Sequence, residues 1–142
     1  MLIGFADAQQ FNGKFFNNLN DKGVILDGYD AVAFFTNNKP VKGNESFQFM
    51  YHDANYCFAS QEHLDLFKAS PSIYKPQFGG LCTYAVSLRR IAPIEVNTFS
   101  IVNGRLGIQH NARALAGWNK DVEGNLALAD KYWKEVAAKG GK

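Results

Sequence analysis

Cys57, Cys82 and His63 are the residues whose types could support metal, redox or nucleophilic chemistry in this chain. His63 lies in the stretch NYCFASQEHLDLF, three positions after Ser60. Near a helix N-terminus it offers either a neutral ring able to bind metal or accept a proton, or a partly exposed ring hydrogen-bonded to the adjacent loop. Cys82 follows Gly79-Gly80, which permit close backbone approach and can set a thiol at a cleft wall. It can equally serve as a small buried hydrophobe. Cys57, between Tyr56 and Phe58 in an aromatic strand, is expected in the core. Two cysteines allow one disulfide or two separate thiols, and their spacing closes no C-x-x-C metal loop.

Asp30, in Gly28-Tyr29-Asp30, can face a pocket as ligand or base, or cap a turn through its carboxylate; capping is the expected role. His52 and His110 are expected at the surface, in a hairpin turn and at a strand end. No nucleophile elbow, phosphate-binding glycine loop or zinc-protease histidine pair occurs. A cysteine enzyme with Cys82 as nucleophile and His63 as base would need a depressed thiol pKa and hydrogen-bonding reach between the two. A metal-free pocket is the other arrangement to consider, with Tyr29, Tyr56, Phe78 and Tyr84 as walls.

These residues must be positioned by short elements. YDAVAFF is apolar and bounded by turn residues, which suggests a buried strand over 29–35. SFQFMY alternates Phe47, Phe49 and Tyr51 on one face, and His52–Asn55 turns it back through YCFAS as a hairpin. Ser60 is placed to cap a helix carrying Glu62 in its first turn, with Leu64 and Phe67 inward, ending before Pro71. KPQFGGLCTYAVS reads as an irregular, glycine-bent segment. In FSIVNGRLGI, Asn103-Gly104 supplies the two positive-φ residues of a tight hairpin turn. Asn111 starts a short helix with Leu115 and Trp118. Asp121 opens a longer one on which Leu126, Ala129, Trp133 and Val136 share a face and Asp130 pairs with Lys134, before a fraying AAKGGK tail. Hairpins mixed with helices, without a strand-helix-strand rhythm, predict a single compact α+β domain: antiparallel β-hairpins packed with several short helices and a longer C-terminal helix. Residues 1–22 read as a mobile lead-in and 23–139 as the domain.

In this order, GVILDGYDAVAFF, KPVKG, YCFASQEHLDLF, SPSIYKPQFGGLCTYAVS and FSIVNGRLGI resemble the YHS-domain proteins of bacteria, specifically the single-domain, exported type. The resemblance runs from about Gly23 to Trp133. Metal-associated modules of the wider superfamily carry cysteines in Asp-Pro-Val-Cys-Gly-Met and Phe-Cys-Ser-x-x-Cys segments. On that pattern Ala33 stands at the first cysteine, Ala59 at the second and His63 at the third, with Phe67 on the module's helical phenylalanine. A three-thiolate soft-metal site is therefore absent. Cys82 matches the single-domain pattern and Cys57 does not, so a Cys57–Cys82 disulfide is not the expected state. The resemblance implies a non-enzymatic binding module. Its expected ligand is a copper or zinc ion held by Cys82 and His63, with Cys57 as a further candidate, since mixed sulfur and nitrogen donors suit Cu(I) or zinc. The alternative is a metal-free small-molecule or protein-binding domain using Tyr29, Asp30, Tyr56, Phe78 and Tyr84.

Composition narrows the classes further. The 142 residues suffice for one domain, and a 14% aromatic share predicts a ring-rich core. A formal charge of +2, with Arg89-Arg90 as the only adjacent basic pair and expected in a solvated loop, does not argue for nucleic acid. No apolar run is long enough to insert in a membrane. Ala6-Asp7-Ala8 has the form of a signal-peptidase site, although little precedes it. It is either the tail of a trimmed export signal, the expected reading, which gives a periplasmic or secreted protein, or an ordinary disordered N-terminus, which leaves a cytoplasmic one open.

Overall fold

The computed structural model describes residues 10–11 and 14–140, with side chains from Phe15 onward. The candidate export signal lies outside the described residues. The predicted α+β architecture is what forms: the described residues make three two-stranded antiparallel hairpins and six α-helices in one domain. The first hairpin pairs β1 (Gln10–Phe11) with β2 (Lys14–Phe15). The chain then docks before Gly23, earlier than the expected boundary. Asn18 N donates to Gly79 O at 2.8 Å, and Phe16 stacks on Trp133.

The second hairpin, β3 (Asn44–Tyr51) with β4 (Ala54–Phe58), keeps the expected alternation and pairs Phe49 with Tyr56. His52 and Asp53 turn it with φ of 48° and 64°. Its rings close on α2 (Gln61–Ala69), where Phe67 is fully buried 4.5 Å from the Tyr56 ring and 5.2 Å from Phe58. Ser60 caps α2 as predicted, its hydroxyl accepting from His63 N at 3.1 Å. Pro71 stops α2 and opens the one-turn α3 (Pro71–Tyr74).

The YDAVAFF run is not a strand. Asp30 Oδ1 accepts from Val32 N and Ala33 N at 2.9 and 3.1 Å, which turns the chain into α1 (Ala33–Thr36). A short apolar run has the same composition in a buried helix as in a buried strand, and the local carboxylate decides between them.

The glycine-bent segment passes through Phe78 and Gly79 at φ of 56° and 61° into α4 (Thr83–Ser87). The third hairpin, β5 (Ser100–Val102) with β6 (Arg105–Gly107), turns at Asn103-Gly104 as expected, with φ of 54° and 76°. Asn111 caps α5 (Ala112–Asn119), and α6 (Val122–Gly140) follows Asp121, extending into the tail expected to fray. Leu126, Ala129, Trp133 and Val136 lie buried along α6 and pack with Phe78, Leu81, Val86 and Trp118 in a second core. Asp130 does not pair with Lys134; the nearly buried Arg105 takes it in a two-pronged ion pair at 2.6 and 3.0 Å. No described helix is long and apolar enough to cross a membrane.

Candidate functional site

The sequence-predicted residues separate into two regions, and the first is built around Asp30. Its side chain is fully buried where α1, the end of β4 and α2 meet. Besides the two α1 amides, Oδ2 accepts from Ala59 N at 2.9 Å and from His63 Nδ1 at 2.6 Å. A carboxylate oxygen that accepts from the Ala59 amide has no proton to give, so Nδ1 is the donor in this pair. Nε2 lies 3.4 Å from Oγ1 of the exposed Thr36 at the end of α1. Asp30 thus fulfils the capping role expected of it, and it also binds His63, a partner 33 residues away that no local pattern announces.

Ala33, Ala59 and His63 are the positions at which the resemblance expects metal ligands. All three converge here, and each donates a hydrogen bond to the same carboxylate. Where a soft metal would need sulfur, this chain offers two backbone amides, two methyl groups and a carboxylate whose oxygens are committed. The donor set at the junction does not fit a copper or zinc shell. Among the described residues, no three His, Cys, Asp or Glu side chains form a set that could hold a metal ion.

Cys82 belongs to the second region. Gly79-Gly80 seat Asn18, whose amide groups donate to both glycine carbonyls, and the chain then enters α4 with Cys82 at its cap. Cys82 Sγ accepts from Ala85 N and donates to Gln109 Oε1, both at 3.4 Å. Gln109 is fully buried; it also accepts from Tyr84 N at 2.9 Å and donates to Thr83 Oγ1. Burial pushes the Cys82 thiol up, partly offset by backbone amides that favour the thiolate. Cys82 and His63 share no hydrogen-bonding partner, and no bond joins them.

Cys57 and Cys82 are both buried free thiols, so the disulfide does not form. Cys57 faces away from the aromatic core, toward a groove of about 630 Å³ lined by Asp21, Lys22, Asp27, Lys42 and Glu45. Burial raises its thiol too, with Glu45 adding to the effect. Both signs of charge line this groove, and Lys42 Nζ is already spent on Asp27 O at 2.9 Å.

The expected aromatic pocket is not built. Tyr56 and Phe78 belong to the two cores, and Lys42 covers the Tyr29 ring at 4.9 Å. Tyr84 lines a concavity of about 300 Å³ whose lining also includes Cys82, Leu88, Ile91, Arg90 and Arg113. Leu88 and Ile91 are 44% and 49% exposed, high values for such side chains. Of the histidines expected at the surface, His110 lines this cleft and donates from Nδ1 to Pro93 O at 3.0 Å. His52 is instead half-buried, stacked between Phe15 and Tyr51 at 4.0 and 3.9 Å.

Sequence reasoning missed Gln109, Arg90 and Arg113 as site residues. Arg90 was visible only as half of a basic pair, and nothing near Gln109 or Arg113 marks them in the chain. Comparison with protein-family models, with curated proteins and with solved structures returns no match.

Proposed function

We propose that the chain is a non-enzymatic binding module of the YHS type that works without a metal and takes a small apolar ligand in the cleft above Cys82. The cleft itself carries this reading. It sets exposed Leu88 and Ile91 beside half-buried Tyr84 over a buried thiol, in a volume at the lower end of ligand pockets, which run from about 300 to 1,000 Å³. Two further observations support it. The Asp30–His63 junction has its carboxylate fully engaged, and the Cys82 thiol is raised rather than depressed, the opposite of what a cysteine nucleophile requires.

The test is a backbone-amide NMR titration of the whole chain with octanol and with octanoate. Shifts concentrated at residues 82–92 and 110–114 with either compound support the reading, and no response there to either removes it. The copper or zinc alternative is tested in parallel by titrating Cu(I) into reduced protein. One-to-one binding that disappears in a Cys82→Ser, His63→Ala double variant would restore the metal reading.

A further inference from the structure

The cleft above Cys82 is apolar in its floor and one-signed at its rim. Arg90, His110, Asn111 and Arg113 stand among its lining residues, and no aspartate or glutamate does. Arg90 and Arg113 are exposed, and neither has an ion-pair partner among the described residues. The other two arginines differ on this point. Arg105 is bound to Asp130, and Arg89 lies over the Tyr132 ring at 4.3 Å beside Glu135. Two uncompensated guanidinium groups on the edge of an apolar surface are a recognition pattern for an apolar molecule with an anionic head.

The backbone around the cleft restricts the choice further. Cys82 N donates to Ala92 O at 3.1 Å, Arg90 N to Ala85 O at 2.8 Å, Tyr84 N to Gln109 Oε1 at 2.9 Å and Ala114 N to Asn111 Oδ1 at 2.9 Å. These four amides are spent within the fold, so none of them is left as a donor for an extended peptide or a phosphate. Recognition falls to the two guanidinium forks, which match the two oxygens of a carboxylate.

We propose that the ligand is a small apolar carboxylate. Its hydrocarbon body rests on Leu88, Ile91 and Tyr84, and its head group is held by Arg90 and Arg113. This assignment rests on the binding reading above, and the following experiment separates the two.

Calorimetric titrations compare octanoate, octanol and octyl phosphate on the full chain and on an Arg90→Gln, Arg113→Gln variant. Both substitutions lie at exposed positions, and thermal melts verify that the variant folds. Octanoate is expected to bind the native chain about tenfold or more tighter than octanol, the increment of one charge-assisted contact. The variant should lose that preference while octanol binding stays unchanged, and added salt should narrow the gap. Equal binding of octanoate and octanol to the native chain, or a preference that survives in the variant, overturns the carboxylate assignment and leaves the apolar cleft standing. Tighter binding of octyl phosphate than octanoate also overturns it, in favour of a phosphate head. Failure of all three to bind removes the cleft as a site altogether.

Discussion

The Asp30–His63 junction and the Cys82 cleft both sit at helix starts, and they differ in how much interaction capacity each leaves over. At the junction one buried carboxylate accepts from Val32, Ala33, Ala59 and His63, which ties the start of α1 to the end of β4 and to α2. At the cleft the buried polar atoms of Cys82 and Gln109 serve each other and nearby amides, while Arg90, Arg113, Leu88 and Ile91 stay open to solvent. The residue types with a chemical reputation are consumed by the architecture, and the unspent capacity lies with ordinary surface side chains. Closed networks stabilise, and binding draws on groups that folding left unsatisfied.

Substitution of Asp30 should separate the two regions most sharply. Asp30→Ala leaves three amides and an imidazole without their buried acceptor, and a loss of about 3–5 kcal/mol is expected in chemical denaturation. A loss below about 1 kcal/mol would mean that the junction is not the closed element described here. His63→Ala removes one bond to a charged group, so about 1.5–3 kcal/mol should be lost. Its octanoate affinity should equal that of the native chain; a matching fall would join the two regions into one site.

The cleft should respond in the reverse sense. Leu88→Ser and Ile91→Ser should each change stability by no more than about 0.5 kcal/mol, as surface substitutions do. Each should nevertheless weaken octanol and octanoate alike by roughly fivefold, through about 1 kcal/mol of lost apolar contact. Unchanged affinity in both variants would place the apolar body elsewhere.

The last effect is nil at neutral pH. Burial raises the thiols of Cys57 and Cys82 above their ordinary value of 9.0, and raises the Tyr56 phenol above 10.0. These groups stay neutral in the folded chain at a pH where the unfolded chain has begun to ionise them. Their contribution to stability is therefore complete below pH 9.0 and is lost as pH rises from there through the folded-state values. Denaturation midpoints measured from pH 7 upward should stay level to about 9 and then fall. In the same samples both thiols should resist a disulfide reagent at pH 7 until the chain unfolds. Rapid native labelling of Cys82 alone would reopen the cleft floor as a reactive site.

Much of the fold was legible because its signals are local. Ser60, Asn111 and Asp121 each cap a helix by accepting from an amide three residues on, and Asn103-Gly104 turns a hairpin through its own backbone preferences. YDAVAFF misled because its length and apolarity suit strand and helix equally, and the outcome depended on one carboxylate oxygen. Asp130 was assigned to Lys134 on helical spacing, yet Arg105, 25 residues upstream, is held almost out of water and takes it. A buried guanidinium has more to gain from a carboxylate than an exposed ammonium does.

By itself, the sequence determined the caps, the hairpin turns, the apolar faces and the absence of a three-thiolate centre. Each of these follows from residue type and short-range geometry. Only the tertiary structure decided that His63 reaches Asp30 across 33 residues. It alone decided that Cys82 looks to Gln109 rather than to His63, and that Arg90, His110 and Arg113 ring one apolar cleft. Such groupings depend on how separate elements dock. Docking is set by packing summed over the whole core, and no short stretch of chain encodes it.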